Sequence, residues 1–575
     1  MARLDYFAPG VYIEEVDRGS RPLQGVPTAV AGFVGFTEDI RGGAEPFKPM
    51  LVTSWKQYLE YFGRTNSDGF TEFGAYLPFS VYGWFLNGGG RCWITSMGTG
   101  LPGSPKPEVR ETGTEIVNRA NRPSLRFSIR ENAEDSGSEG SLTDSSQNRF
   151  LAVSDRSIRV QITEGYPKPP SEETEASEAI VTANTGEFFT VVIRQGGEEL
   201  ERFPHLSMNP DIETAVADYV VSALEASEYI IATDLAISGS PLARRPSNGV
   251  YEVSPGAIIA ETENLARHVE GVREERTGIR GLFEIDEVTI ICCPDLMKVY
   301  EQGLIDLDQL HGLMDLMVSM CEGAADGDIP NAPNRMIILD PPPDRVKPQE
   351  ISRWLSIEFN RRSQFAALYY PWILVPNPRN AGRPIAIPPS GHMAGVWARV
   401  DETRGVYKAP ANEVPRGVIG LTHPCNFREQ ELLNPIGINC IRPFENRGIR
   451  IWGARTLVEP DKTEWRYINV RRLMSYIEKS IENGTQWVVF EPNDEDLWQR
   501  VKRTISSFLT ELWRSGALIG GSPSEAFYVK CDAELNSPQS MMLGRLFVEV
   551  GVCPVRPAEF VIFRISQWTA DGEGE

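Results

Sequence analysis

The side chain in this sequence that most invites a search for nucleophilic catalysis is Ser96, in the run Thr95-Ser96-Met97. A catalytic serine needs a histidine within hydrogen-bonding reach, and that histidine is held in turn by a carboxylate. The histidines of the chain are His205, His268, His311, His392 and His423. All of them follow Ser96, so the order aspartate, histidine, serine, one of the known orders of such triads, does not occur. We therefore interpret Ser96 as a hydroxyl at the end of a strand and expect no catalytic residue.

Cysteine, histidine and glycine patterns indicate no metal or cofactor site either. Cys292 and Cys293 are neighbours on a predicted strand, where successive side chains point to opposite faces, so they cannot chelate one ion together. His423 and Cys425 have an HxC spacing, but no second pair of ligands follows at the spacing of a zinc site. The glycines at 88–90 follow a predicted helix and precede a strand, the reverse of a dinucleotide-binding loop, and no GxxxxGK[ST] loop occurs. We expect no cofactor and no metal.

Composition and charge exclude further classes of protein. A chain of 575 residues is expected to form several domains. Its net charge of −22 argues against a nucleic-acid partner, which selects basic patches. No apolar run is long enough to span a bilayer, and the N-terminus MARLDYFAPG lacks the apolar core of a signal peptide. The scattered cysteines are typical of reduced thiols, so we expect assembly in the cytoplasm and no direct membrane insertion.

The middle of the chain alternates between strand and helix patterns. Val288–Cys292 is a continuous apolar run, as a buried parallel strand requires. Apolar residues then recur at helical spacing: Leu310, Leu313, Met314, Met317 and Cys321. Arg335–Asp340 reads as the next strand, Ile351–Phe359 as a helix and Phe365–Val375 as a further strand. This alternation predicts an α/β core with a mostly parallel sheet.

Four motifs between 434 and 494 carry a resemblance to a known family: NPIGINCIR, RGIRIWGART, EWRYINVRRL and GTQWVVFEPND. In this order they resemble the tail sheath proteins of contractile phage tails and related contractile injection systems. The opening YFAPGVYIEEVDRGSRPLQGVPTAVAGFVGFTEDI, the segments YLPFSVYGWFLNGGG and PPSGHMAGVWARVDETRGVYKAPANEVPRGVIG, and the ending PAEFVIFRISQ are similar to the family as well. Residues 98–250 match no part of it that we can place.

The resemblance implies a structural subunit that does no covalent chemistry. Such subunits stack as rings, expected to be hexameric, around an inner tube and contract to drive that tube through a target membrane. The implied partners are other copies of the chain, the inner tube protein, and baseplate and terminal cap proteins. A subtilisin-like hydrolase and an acidic soluble binding module remain the alternatives. Whether the mature particle is a phage tail, an extracellular particle or a membrane-anchored injector is left open.

The resemblance also implies the domain plan of an α/β protein. Its mostly parallel core is expected to be subtilisin-like, with a C-terminal α/β sheath domain, an inserted small mixed or β domain and extended terminal strand arms. The expected divisions are an N-terminal arm at 1–20, a discontinuous core at 21–97 and 251–438, an acidic outer insert at 98–250, the C-terminal domain at 439–554, and an arm with an acidic tail at 555–575. We expect the insert to lie between two adjacent core strands and to contain a helix over Ile212–Glu225.

Two β-forming segments stand alone at the ends of the chain. Val11–Val16 lies between Gly10 and Gly19, and Glu559–Gln567 precedes the acidic terminus. A lone strand cannot satisfy its own backbone groups, so each segment must pair with something. In sheath families such arms add strands to the sheets of neighbouring subunits; folding back onto the same chain is the alternative. The residues assigned to the arm strands are Val11, Tyr12, Ile13, Glu14, Phe560, Val561, Ile562 and Phe563, with Gly10 and Gly19 as hinges.

The C-terminal domain is predicted to combine two amphipathic helices with strands. The elements are a helix from Ile468 to Ile481 closed by Asn483-Gly484, a buried strand at Trp487–Phe490, a helix begun by Asn493 or Asp494 and ended by Gly516, and strands at Ala526–Cys531 and Leu546–Val552. Relatives grip the inner tube with this domain. The resemblance thus makes the basic residues of the second helix tube-facing candidates, namely Arg500, Lys502, Arg503 and Arg514. A solvated or intra-domain charged face is the alternative.

Overall fold

The computed structural model describes residues 23, 25–64, 67–101, 114–120, 122–129, 158–168, 186–195, 198–210, 217–235, 239–253, 265–323 and 334–562. These residues fall into two compact units. The core unit comprises Ala29–Thr403 and Pro410–Ile468. The C-terminal unit comprises Arg404–Ala409 and the described parts of 1–28 and 469–575.

The strands are, in chain order, β1 (Ala31–Gly35), β2 (Pro49–Val52), β3 (Cys92–Ser96), β4 (Thr114–Val117), β5 (Pro123–Ile129), β6 (Ile158–Glu164), β7 (Phe189–Gln195), β8 (Glu198–Ser207), β9 (Asp218–Tyr219), β10 (Ile230–Asp234), β11 (Gly249–Val253), β12 (Ile290–Cys292), β13 (Met336–Leu339), β14 (Ala366–Tyr370), β15 (Ile373–Pro376), β16 (Pro384–Ile387), β17 (Gly420–Leu421), β18 (Ile438–Phe444), β19 (Gly448–Ile451), β20 (Phe527–Lys530) and β21 (Glu549–Val552).

The α-helices are α1 (Trp55–Phe62), α2 (Leu77–Leu86), α3 (Val220–Leu224), α4 (Pro241–Arg244), α5 (Leu265–Glu270), α6 (Gly278–Phe283), α7 (Asp295–Glu301), α8 (Leu307–Glu322), α9 (Pro348–Arg353), α10 (Ser390–Arg404), α11 (Phe427–Leu433), α12 (Ile468–Gly484), α13 (Glu495–Arg514), α14 (Pro523–Ala526) and α15 (Pro538–Met542). A π-helix follows α9 at Trp354–Phe359, and short 3-10 helices lie at Pro378–Asn380, Asn434–Ile436, Thr463–Trp465 and Gln486–Val488.

Eight strands form the main sheet of the core unit, in the order β19-β18-β14-β13-β12-β1-β3-β2. The six central strands run parallel, while β2 and β19 close the two edges in antiparallel pairing. Every residue of β1, β12, β13 and β14 is buried, as a sheet covered on both faces requires. The expectation of a mixed α/β fold with a mostly parallel central sheet is therefore confirmed.

Local signals explain where several core helices begin and end. Ser54 precedes α1, and its hydroxyl accepts a hydrogen bond from the backbone N–H of Gln57 at 3.2 Å. Asp306 and Gln309 form a reciprocal capping box at the start of α8, and Gly323 ends that helix in the left-handed conformation. The helix predicted before the glycines at 88–90 is α2, which begins at Leu77.

Two expectations about the core sheet are wrong. The single strand predicted at Phe365–Val375 is two strands, because Pro371 has no N–H to continue the ladder; β14 lies in the main sheet and β15 joins β16 and β17 in a separate one. The boundary expected at 438–439 falls inside the core, because β18 pairs in parallel with β14 through Leu368 and Ile438. The C-terminal unit begins instead at Asn469.

The insert has a hydrophobic core of its own. Its described strands form a three-stranded sheet, β10-β5-β4, and a five-stranded sheet, β11-β6-β7-β8-β9, around buried residues such as Phe127, Val160 and Phe189. Of the helix predicted over Ile212–Glu225, residues 212–216 lie outside the described residues, Asp218–Tyr219 is a strand instead, and the helix α3 begins at Val220. The insert does not separate adjacent strands either, because β1 lies between β3 and β12 in the main sheet.

The C-terminal unit is built on α12 and α13, whose apolar stripes share one hydrophobic core. Asp494 caps α13 by accepting a hydrogen bond from the N–H of Leu497 at 2.8 Å, so the predicted second helix is confirmed. The predicted strand at Trp487–Phe490 is wrong, because Gln486–Val488 forms a 3-10 turn and Phe490 is fully exposed. The predicted sheet is thereby reduced to the antiparallel pair β20-β21.

Candidate functional site

Ser96 lies at the end of β3 and is completely buried. Its hydroxyl is 2.6 Å from the hydroxyl of Thr37 and 3.3 Å from the carbonyl oxygen of Gly98. The hydroxyl of this side chain is therefore hydrogen-bonded inside the core. The interpretation of Ser96 as a strand-end hydroxyl agrees with this geometry.

The carboxylate of Asp295 occupies the place where an open α/β sheet usually binds a ligand. That place is the crevice at the carboxyl ends of the strands where the strand order reverses, which here lies between β1 and β12. Asp295 accepts hydrogen bonds from the backbone N–H groups of Phe36 at 2.7 Å and Leu77 at 3.3 Å, and from that of Tyr76. Burial raises the pKa of Asp295 to about 6, although these bonds oppose the shift. The N-terminus of α2 is thus capped by a side chain of the same chain.

A second buried carboxylate, Asp340, follows β13. It accepts hydrogen bonds from the N–H of Ser390 at 3.0 Å and from the Ser390 hydroxyl, and burial raises its pKa to about 7. His392, two residues after Ser390, is also buried. Burial lowers its pKa to about 4, so this imidazole is neutral at physiological pH. Among the described residues, no group of three or more histidine, cysteine or acidic side chains could hold a metal ion.

The candidate functional surfaces lie instead in the C-terminal unit, where the segments leading to the two ends of the chain are held. Two polar side chains on one face of α12 hold these ends. The guanidinium of Arg472 donates to the carbonyl oxygen of Thr28 at 2.9 Å, and the amide of Asn469 donates to the carbonyl oxygen of Val555 at 3.1 Å. Asn469 and Arg472 are three positions apart and therefore neighbours on the helix surface. Both chain ends are consequently fastened to a single helical turn.

The segment before Thr28 is held further along the same helix. Leu23 is buried in the core of the C-terminal unit, and the N–H of Val26 donates to the Ser480 hydroxyl at 3.3 Å. Between them, Gly25 lies so close to Tyr476 that a Cβ atom there would be 1.9 Å from the phenolic oxygen. Only glycine fits this approach without displacing the ring. The N-terminal arm residues Val11, Tyr12, Ile13 and Glu14 and the hinges Gly10 and Gly19 lie outside the described residues.

The segment after Val555 leaves the unit with its apolar side chains exposed. The N–H of Val555 donates to the carbonyl oxygen of Ala517 at 3.1 Å. Beyond it, Phe560, Val561 and Ile562 are 73, 68 and 82% exposed and belong to no strand. Phe563 lies outside the described residues. The described residues of the predicted arm strand, Phe560, Val561 and Ile562, therefore lie exposed and outside every described strand.

The sheet β20-β21 offers two open edges in the same unit. Phe527 pairs with Val552 and Lys530 with Glu549, and among the described strands each of the two has only the other as its partner. An isolated two-stranded sheet is marginal in water, and an unpaired edge presents free N–H and C=O groups to any further strand. Just beyond β21, Pro554 forms an isolated bridge with Leu518, so among the described residues the open edges are confined to β20 and β21 themselves.

The four basic candidates on α13 are all exposed, but they do not share one face. Successive helical residues turn by about 100°, which puts Arg500, Arg503 and Arg514 within one arc and Lys502 about 100° or more from each of them. Arg500 forms an ion pair with Glu491 at 3.3 Å. Arg503, Lys502 and Arg514 form no ion pair with the described residues.

The residues that fasten the chain ends were not singled out by sequence reasoning, although a signal was present. Asn469 and Arg472 fall within the motif EWRYINVRRL, and both are polar residues buried on a helix. Buried polar side chains are normally hydrogen-bonded, so their position predicts a partner but not which one.

Family models match two consecutive parts of the chain. Residues 331–457 match the phage tail sheath protein central domain, and residues 461–567 match the phage tail sheath C-terminal domain. A putative prophage major tail sheath protein of Pseudomonas aeruginosa is 28% identical over 193 residues, which are 32% of this chain and 47% of that protein. The tail sheath protein of Burkholderia phage BcepMu is 30% identical over 201 residues, 34% of this chain and 40% of that protein. Each alignment spans less than half of the relative's length.

Solved structures match nearly the whole chain. The sheath complex of the extracellular contractile injection system PVC, in its contracted state, has a TM-score of 0.52 at 20% identity and covers 98% of both chains. The contracted helical sheath of the anti-feeding prophage has a TM-score of 0.52 at 21% identity and covers 98% of this chain and 99% of the other. At this level of identity the likeness shows that the fold is shared. Among the described residues, no helix combines the length and apolarity needed to cross a bilayer.

Proposed function

We propose, because this chain belongs to the phage tail sheath family, that it is the structural subunit of a contractile sheath. Copies of the chain stack as hexameric rings around an inner tube, and contraction of the stack drives the tube through a target membrane. The partners are further copies of the chain, the inner tube protein, and baseplate and terminal cap proteins. The subunits assemble in the cytoplasm, do no covalent chemistry and need no cofactor.

The observation that carries the proposal is the attachment of both chain ends to one turn of α12, in the same unit as a two-stranded sheet with two open edges. Each subunit has two arms to donate and two edges to receive them. The N-terminal strand Val11–Glu14 and the C-terminal strand Phe560–Phe563 add to the sheets of neighbouring copies, with main-chain hydrogen bonds giving strength and alternate side chains giving specificity. Gly10 and Gly19 serve as hinges for the first arm.

The exposed apolar residues at the C-terminal end support this exchange. Phe560, Val561 and Ile562 would expose a continuous apolar run to water in an isolated subunit. Surfaces of this kind are typical of sites that another protein covers. Pairing with a neighbour satisfies the backbone of the run and buries its side chains in one step.

The core unit acts as a rigid body in this function. We assign it a subtilisin-like arrangement, in which Asp295 serves a structural role by accepting hydrogen bonds from the backbone that follows β1 and from the start of α2. The energy of contraction comes from the difference in buried surface between two lattices of the same subunits. About 100 Å² of additional apolar burial is worth roughly 2.5 kcal/mol, so a small gain at each subunit sums to large work over a long sheath.

Two further assignments follow from the positions of charged regions. The inner tube meets the face of α13 that carries Arg503 and Arg514, since both are exposed and neither is paired with a described acidic residue. The acidic insert at 98–250 forms an outer domain, facing away from the tube, where its charge keeps assembled particles apart.

Deletion of residues 1–18 tests the arm exchange. The shortened protein should remain folded, because it keeps all the described contacts with α12, which are made by Leu23 and the residues after it, but it should not polymerise. Circular dichroism reports the fold, and negative-stain microscopy with size-exclusion chromatography reports the assembly, with the full-length chain as control. Normal striated cylinders formed by the deletion variant would refute the arm exchange.

A further inference from the structure

Two buried thiols of the core unit lie in contact with each other. The sulfur atoms of Cys425 and Cys440 are 3.9 Å apart, and the two residues are separated by 15 positions along the chain. Both side chains are buried, as are most of the cysteines of the chain. The contact joins two different elements, because Cys425 precedes α11 and Cys440 belongs to β18.

One of the two thiols belongs to the main sheet, and the other lies directly before the start of α11. The carbonyl oxygen of Cys440 accepts a hydrogen bond from the N–H of Trp452 at 2.7 Å, and Cys440 pairs with Tyr370 of β14. Cys425 is followed by the capping box that starts α11, in which Asn426 and Glu429 bond reciprocally. A disulfide requires the sulfur atoms to approach to about 2.05 Å. Disulfide formation therefore requires the two sulfur atoms, which are 3.9 Å apart, to move closer by a shift of the segment before α11 toward β18.

We propose that Cys425 and Cys440 are a site of reversible oxidation, at which a hydroperoxide converts the thiol pair into an intramolecular disulfide. The surroundings favour Cys425 as the thiol that reacts first. The hydrogen bond with Cys440 and the guanidinium of Arg442 lower the pKa of Cys425, whereas the same thiol–thiol contact and burial raise the pKa of Cys440. Arg442 is held beside Cys425 by a hydrogen bond from its Nε to the Cys425 carbonyl oxygen at 3.2 Å.

The reaction balances in two steps. The Cys425 thiolate attacks one oxygen of the peroxide, an S–O bond forms, the O–O bond breaks and hydroxide leaves, taking up the thiol proton as water. The Cys440 sulfur then attacks the Cys425 sulfur, an S–S bond forms, the S–O bond breaks, and the hydroxyl leaves with the second thiol proton as water. The two thiols lose two electrons in total, and the peroxide gains them.

The disulfide would fasten α11 to the main sheet. It would close a short loop that contains the whole helix, which restricts the unfolded chain more than the folded one. The timing of its formation rests on the proposed function: thiols stay reduced during assembly in the cytoplasm and oxidise once a particle has left the cell. A sheath released in this way would become more resistant to unfolding outside the cell than inside it.

The test uses the full-length chain carrying Cys553→Ser, because Cys553 is exposed and would otherwise link two molecules. The reduced protein is treated with hydrogen peroxide under native conditions, denatured in iodoacetamide and digested without reductant. Mass spectrometry should find the peptides of Cys425 and Cys440 joined, with a mass two hydrogens below their sum. The unfolding temperature of the oxidised protein should be a few degrees higher than that of the reduced protein. A thiol reductant should separate the joined peptides and return the unfolding temperature to its reduced value.

Two variants separate this pair from general oxidation of buried thiols. Cys440→Ser should lose the joined peptides and the thermal shift, whereas Cys321→Ala, which removes another buried thiol, should keep both. Recovery of Cys425 and Cys440 as alkylated thiols, or oxidation of Cys425 without a link, would overturn the proposal. Because the link is measured on the isolated subunit, this result is independent of whether the chain polymerises as a sheath.

Discussion

Replacing Asn469 with alanine is expected to loosen the C-terminal end of the chain while leaving the rest of the fold intact. The amide of Asn469 donates to the carbonyl oxygens of Tyr407 at 2.8 Å and Val555 at 3.1 Å, and the side chain is buried. Alanine would leave both oxygens without this donor. A buried polar group that loses its partner costs about 1–3 kcal/mol, so the segment at Val555, which loses one such bond, is expected to lose about 1–3 kcal/mol of local stability.

The amide of Val555 reports this loss directly. Its N–H donates to the carbonyl oxygen of Ala517 and can exchange with solvent only when the segment opens. Since each 1.4 kcal/mol corresponds to a factor of ten, exchange at Val555 should accelerate by about 5- to 150-fold. Hydrogen exchange followed by mass spectrometry on a peptide that contains Val555 measures this. In the same samples, negative-stain microscopy should show fewer and shorter sheaths.

Asn87→Ala is the matched control for this prediction. Asn87 is also buried and donates to two backbone carbonyl oxygens, those of Gly83 at 2.9 Å and Arg416 at 3.1 Å, but it lies in the core unit. It should lower the stability of the core without changing exchange at Val555. If both variants impaired assembly equally, or if Val555 exchanged at the wild-type rate in Asn469→Ala, the role assigned to α12 would be refuted.

Two further predictions concern charge. Arg503→Glu combined with Arg514→Glu should weaken assembly on the inner tube while allowing tube-free contracted polymers. Lys502→Glu, on a different side of the same helix, is the control and should leave tube binding unchanged. Co-sedimentation with purified tubes measures binding, and equal binding by all variants would contradict the tube assignment. Burial raises the pKa of Asp340 to about 7 in the folded protein, above its unfolded value, so its stabilising contribution is present at low pH and is lost as the pH rises through that value. Thermal unfolding should therefore occur at a lower temperature at about pH 8 than at about pH 6. Asp340→Asn, which keeps an acceptor for Ser390, should make the unfolding temperature less dependent on pH. An unchanged pH profile in the variant would show that another group titrates.

Elements specified by local signals were predicted closely. The strand β12 is a short apolar run between turns, and α13 combines an apolar stripe at helical spacing with an N-terminal aspartate at 494. In both cases the residues that determine the element lie within it or next to it. Propensity, periodicity and capping therefore suffice, and no distant contact is needed.

Elements whose outcome depends on distant contacts were not predicted. Trp487–Phe490 is apolar and reads as a buried strand, yet Phe490 is exposed with a positive φ of 68°. A sequence pattern records that a residue is apolar but not whether its own chain covers it, and in a protein that assembles the cover can come from another molecule. The same reasoning applies to the exposed run at 560–562.

The fastening of the two chain ends lay beyond sequence reasoning for a related reason. The hydrogen bonds join positions that are far apart in sequence, namely Thr28, Asn469 and Val555. Every residue has a backbone carbonyl, so the sequence does not indicate which one accepts a hydrogen bond. The motif resemblance pointed to the helix but not to its role. The structure adds a mechanical consequence for the proposed sheath. Asn469 and Arg472 are neighbours on one turn, so a pulling force on either arm acts first on that turn of α12. Force applied to one arm is therefore transmitted to the other arm through a single hydrogen-bonded helix.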